Sequence, residues 1–160
     1  MAWAKNGTPY TLSGTLTTFT ISDLGSKKFN VLLLHSFPSG ASAPRRLEFN
    51  GDTGNNYAYR LSDGGGADAT GVSTNMLIDQ GGSWGDDSFN VMYICGISGK
   101  EKLVINFAMG QGTAGAGTAP IRREWVAKGT NTALISSIVI TTLGGSGSLI
   151  NSNLSVIGTD

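Results

Sequence analysis

The side chains able to do acid–base or metal chemistry are few and scattered: one histidine, three glutamates and eight aspartates in 160 residues. General acid–base catalysis needs a positioned titratable pair, and His35 with Glu48 is the pair a lectin-like glycosidase could use. His35, however, closes a strongly apolar stretch and reads as a hydrogen-bonded core or edge histidine. No phosphate-binding Gly-rich loop, His-Glu-x-x-His helix or Cys-x-x-Cys pair occurs. The single cysteine, Cys95, shares its parity with Phe89, Val91, Tyr93 and Ile97, which predicts a buried structural thiol. Asp52, Asn55 and Asn56 in one turn and Asp63 and Asp68 in the next could offer oxygens to calcium, although such residues more often cap their own turn backbone. Trp84 beside Asp86 and Asp87, or the Asn55-Asn56-Tyr57 turn, could stack and hydrogen-bond a sugar. Trp84 reads first, however, as a plug at one end of the sandwich. The expectation is a protein that is not an enzyme and carries no cofactor or metal.

Net charge is zero and only 14% of residues are charged. Phosphate recognition needs a concentrated basic excess, so nucleic acid is not an expected partner; Arg45-Arg46 and Arg122-Arg123 are the only paired arginines. No uninterrupted apolar run approaches signal-peptide or membrane-spanning length, and no membrane partner is expected. A surface so poor in Lys and Glu lacks the usual defence against self-association. It suits a protein that is covered in a permanent assembly.

These groups must be positioned by strands, because β-branched and aromatic runs punctuated by glycine recur throughout while no long window carries a helical apolar stripe. The pattern predicts one all-β domain over 1–160, an antiparallel β-sandwich, jelly-roll-like, of about ten strands, with an N-terminal arm at 1–9 and a Gly-rich loop at 110–119. Strands are predicted at Tyr10–Leu12, Leu16–Ile21, Phe29–Ser36, Arg46–Asn50, Tyr57–Leu61, Thr74–Ile78, Ser88–Ile97, Lys102–Met109, Arg123–Lys128, Ala133–Leu143 and Leu149–Ile157. Residues 45–62 read as a hairpin, with Leu47 and Phe49 on one face, Tyr57, Tyr59 and Leu61 on one face, and a turn of Asn, Gly and Asp between them. Strands Phe29–Ser36, Ser88–Ile97 and Ala133–Leu143 are apolar at both parities, which predicts cover on both sides. In Lys102–Met109 the alternation predicts Leu103, Ile105, Phe107 and Met109 inward, with Lys102, Val104, Asn106 and Ala108 outward.

Four pieces resemble a group of bacteriophage structural proteins with β-sandwich or jelly-roll domains. They are Phe29-Asn30-Val31-Leu32-Leu33-Leu34, the turn from Phe49-Asn50-Gly51-Asp52 to Tyr59-Arg60, the strand Ile135-Ser136-Ser137-Ile138-Val139-Ile140, and the closing segment Gly147-Ser148 to Ile157-Gly158. The resemblance implies a virion part. Without a coiled coil or collagen-like repeat to reach outward, a capsid decoration or cement protein on the outer capsid surface is expected, binding the major capsid protein and copies of itself, trimers included. Expected contact residues are Trp3, Arg45, Arg46, Arg122, Arg123 and Trp125, since Trp and Arg anchor interfaces most often. The alternative is a tail or fibre head domain that binds a cell-surface glycan through Trp84, Asp86, Asp87, Asn55, Asn56 and Tyr57.

Overall fold

Alternation of buried and exposed residues along nearly every long strand is what two stacked sheets require, and the computed structural model shows that arrangement. It describes residues 2–13, 16–37, 44–79, 87–142 and 151–160. Thirteen strands are present among them: β1 (Ala4–Lys5), β2 (Tyr10–Thr11), β3 (Thr18–Ile21), β4 (Phe29–Ser36), β5 (Arg45–Phe49), β6 (Tyr57–Asp63), β7 (Ala69–Ser73), β8 (Met76–Asp79), β9 (Ser88–Cys95), β10 (Lys102–Gly110), β11 (Ile121–Gly129), β12 (Ile138–Thr142) and β13 (Asn153–Thr159). All pairings are antiparallel. The larger sheet runs β1-β13-β4-β9-β10-β11-β6-β7, with β2 also on β13; the smaller runs β3-β12-β5-β8.

The all-β sandwich is therefore as the sequence predicts. Its core lies where the inward side chains of the smaller sheet, such as Phe19, Leu47, Phe49, Ile138 and Ile140, meet Leu32, Leu34, Met92, Ile94, Trp125 and Val156 of the larger. Two short strands, β1 and β7, escape the sequence pattern; β7 sits in a Gly-rich stretch. The strand predicted over Ala133–Leu143 is regular only at Ile138–Thr142.

Residues 45–62 do not form a hairpin. β5 pairs with β12 and β8 in the smaller sheet, whereas β6 pairs with β11 and β7 in the larger. The connection is an arch across the sandwich. Leu47 and Phe49 on one strand and Tyr57 and Leu61 on the other can all reach the core from opposite sides this way, and each strand's ladder is filled by other neighbours. The turn chemistry itself is as expected: Asn50 and Gly51 take φ of 56° and 64°, and the Asp52 N–H donates to the Phe49 carbonyl at 3.0 Å. Two successive residues at positive φ are the mark of a mirror-image type I turn.

The larger correction concerns β10. Leu103, Ile105, Phe107 and Met109 are 54%, 48%, 50% and 47% exposed, while Lys102, Val104, Asn106 and Ala108 are buried. The parity is right and the direction reversed. Lys102 is able to face inward because its ammonium donates to the carbonyls of Ile97, Lys100 and Thr132 at 2.7, 2.9 and 3.2 Å, and a buried charge so provided for is tolerable. Cys95 follows the same parity, so it is partly exposed on the outer face and not a core thiol.

Candidate interaction face

The outer face of the larger sheet is apolar over its three central strands. β4 turns Phe29, Val31, Leu33 and His35 outward, and opposite them β9 turns Cys95, Tyr93, Val91 and Phe89. Next to β9, β10 presents Leu103, Ile105, Phe107 and Met109. No carboxylate, ammonium or guanidinium interrupts these three rows. Charge begins on β11, where Lys128, Glu124 and Arg122 lie opposite Leu103, Phe107 and Met109; on the other side β13 adds the exposed Ile157 beside Val31 and then the polar Ser155 and Asn153. An apolar centre within a polar rim is the anatomy of a protein interface.

The face is also relieved. The half-exposed β10 side chains form a ridge with a groove on each side. One groove, about 360 Å³, is lined by Trp3, Phe29, Tyr93 and Cys95 together with Leu103 and Ile105. The other, about 490 Å³, runs between Leu103 and Ile105 and the side chains of Val126, Lys128, Arg60 and Thr70. The rim charges there are already paired, Arg60 to Asp68 at 2.9 Å and Lys128 to Glu101 at 3.0 Å.

Of the six residues expected to make contacts, the structure brings only Trp3 to this face, half exposed in the first groove. Arg45, Arg123 and Trp125 are buried within the chain and cannot serve as partner anchors. Arg123 reaches Asp63 across the β6–β11 ladder. Arg46 is partly buried and donates to Asn75 at 2.7 Å. Arg122 is exposed at the rim. Sequence reasoning missed the β10 row; its clean alternation was the signal, read with the wrong side inward.

The other candidates separate. Trp84 and Asp86 fall outside the described residues. Tyr57 is buried, and burial raises its pKa to about 12; its hydroxyl is engaged by Phe49, so its ring is not open to a sugar. Asn56 donates its amide to Asp52 at 3.0 Å, whose carboxylate also accepts from the Gly54 N–H and the Asn131 amide. Although burial acts to raise it, those hydrogen bonds hold the Asp52 pKa below the ordinary carboxylate value. Asn55 is exposed. Asp63 and Asp68 pair with arginines, and among the described residues no three His, Cys, Asp or Glu side chains converge as a metal site. His35 lies on the outer face of the larger sheet, its ring 4.1 Å from that of Phe37, whereas Glu48 lies on the outer side of β5, where burial raises its pKa. The sandwich core separates the two, so they form no acid–base pair. Asp87 lines a cleft of about 340 Å³ with His35, Phe89, Met109 and Gln111 beside the Gly-rich loop.

No family model, no curated protein and no solved structure matches the chain.

Proposed function

We propose that this chain is a non-enzymatic structural subunit that works by burying the outer face of its larger sheet in an assembly. Following the resemblance of its turn and aliphatic strands to bacteriophage virion proteins, the assembly is a virion, and the subunit decorates and stabilises the major capsid protein lattice. The observation that carries the docking part is the uncharged, half-exposed row from Leu103 to Met109. A contiguous apolar surface of this kind is rare on a protein that stays alone, and its burial stabilises an assembled shell by mass action with no reaction. Electron cryomicroscopy of the particle containing the chain tests this. Density repeated over the shell supports decoration, and absence from any particle overturns the virion setting.

A second reading, a tail or fibre head domain that binds a cell-surface glycan, draws on the cleft where Asp87, Gln111 and the Phe89 ring meet. A glycan array with wild type and Phe89→Ala tests it: signal lost in the variant supports it, and no signal in wild type removes it.

A further inference from the structure

We infer that the occupant of the apolar face is a second copy of this chain, packed face to face about a two-fold axis. The inference rests on reading the face as a docking surface and names its partner.

Area is the first argument. Phe29, Phe89, Tyr93, Leu103, Ile105, Phe107, Met109 and Val126 are each between 38% and 54% exposed. At roughly 100 Å² of surface left on each half-covered large side chain, the eight present on the order of 800 Å². One partner's share of a stable interface is about 800 Å², so a second copy would bury what a specific dimer needs.

Self-complementarity is the second. An isologous contact sets a surface against its own image, so any charge near the axis meets its own sign. Across β4, β9 and β10 there is none, and the nearest rim charges, Lys128, Glu124 and Arg122 on β11, carry their counter-ions on the same chain, Lys128 with Glu101 and Arg122 with Glu124.

Shape is the third. A surface can pack on its own image only if it carries both a projection and a recess. Here the β10 ridge supplies the projection and the grooves beside it, about 360 and 490 Å³, supply the recesses. Sheets stacked face to face lie about 10 Å apart, close enough for the Ile105 and Phe107 side chains of one copy to enter the groove between Tyr93 and Trp3 of the other.

Sedimentation velocity on the purified full chain across a concentration series tests this, with Ile105→Lys, Tyr93→Lys and, on the outer side of the smaller sheet, Thr20→Lys. A two-fold contact buries each substitution twice and without a counter-ion, so Ile105→Lys and Tyr93→Lys weaken association on the order of 100-fold or more. Thr20→Lys leaves it unchanged. Far-ultraviolet circular dichroism matching wild type establishes that the variants are folded, since loss of a dimer by itself lowers the melting temperature. The single cysteine gives an independent reading: Cys95 lines the first groove, so its maleimide labelling slows with rising concentration in wild type and is constant in Ile105→Lys. A wild type that is monomeric throughout, or a dimer that Ile105→Lys and Tyr93→Lys leave intact, overturns the inference. The docking reading fails separately: a monomeric wild type that enters particles only with Ile105 intact keeps that reading and assigns the face to another subunit, whereas a dimer absent from every particle removes the assembly and keeps the dimer.

Discussion

The backbone N–H of Phe49 donates to the Tyr57 hydroxyl at 3.0 Å, and this bond crosses from the smaller sheet to the larger. The hydroxyl is buried, and burial lifts its pKa from 10.0 to about 12. The folded chain thus holds this proton more tightly than the unfolded chain. The stabilisation is fully present below pH 10 and is lost as pH rises from about 10 to 12. At about 1.4 kcal/mol per pKa unit, the loss is of order 3 kcal/mol. Urea denaturation between pH 8 and 12 should show that fall in wild type and little of it in Tyr57→Phe, which at pH 7 should cost about 1–3 kcal/mol through the orphaned Phe49 N–H.

Asn50 carries two structural duties that separate by substitution. Its φ of 56° suits the turn, and its side chain donates to the Leu134 carbonyl at 2.7 Å and accepts from the N–H groups of Ser136 and Ser137 at 2.8 and 3.1 Å. Asn50→Gly keeps the backbone and loses the bonds. Asn50→Ala loses both, and an ordinary residue in this left-handed region costs a further 1–2 kcal/mol or so. Midpoints of urea denaturation should fall in the order wild type, Gly, Ala; equal stability of the two variants would remove the backbone argument.

What the sequence makes legible here is local. Alternation at Leu103, Ile105, Phe107 and Met109 reveals a strand and a shared face, and the Asn50-Gly51 pair reveals a tight turn. Direction is a tertiary property: whether Leu103 or Lys102 looks inward depends on carbonyls of Ile97, Lys100 and Thr132 that only the folded chain gathers. The same holds for the arch between Phe49 and Tyr57. Strands on either side of a tight turn usually pair with each other, and here the ladders of β12 and β11 compete successfully for them. Arg45 and Arg123 look like surface anchors by residue type, yet their strand parity sends them into the core. The apolar face was legible only as doubled apolar parity at Phe29–Ser36 and Ser88–Ile97, which implied a cover without naming it.

Lys102 is the only group that satisfies those three carbonyls at once among the hydrogen bonds described. Lys102→Met keeps length and apolar stem and removes the three donors. Losing the charge-assisted bonds, with the Ile97 and Thr132 carbonyls still accepting from the Lys100 and Gly99 N–H groups, should cost roughly 2 kcal/mol, read as a lowered denaturation midpoint. Lys102→Arg should not rescue it, because a planar fork does not direct three donors to one converging set of acceptors. Full stability in Lys102→Met would show that the carbonyls find water.

Asp52 predicts the acid side. Its pKa lies below 3.8 in the fold because, against the opposing effect of burial, it accepts from Asn56, Gly54 and Asn131. A depressed carboxylate contributes stability that is present above its unfolded pKa and lost as pH falls through the folded value. Acid titration followed by tryptophan fluorescence should show the fold weakening below about pH 4, with a shallower dependence in Asp52→Asn. An unchanged profile in that variant would assign acid sensitivity elsewhere.

Asn106 is fully buried, and neither polar atom of its side chain has a hydrogen-bond partner. Across the ladders it faces Met92 on β9 and Trp125 on β11, and along its own strand the inward neighbours are Val104 and Ala108. Met92, Val104 and Ala108 are apolar, and the Trp125 indole N–H is itself buried without a partner. A desolvated amide in such company costs stability unless it is bonded, and leucine has nearly the same branched shape with nothing to satisfy. Asn106→Leu should therefore raise the melting temperature, by the equivalent of about 1–3 kcal/mol, and leave the state of association unchanged because the outer face is not touched. A destabilised Asn106→Leu would mean that the amide makes bonds in solution that outweigh its burial, and the inner side of β10 would then be polar by use and not by tolerance.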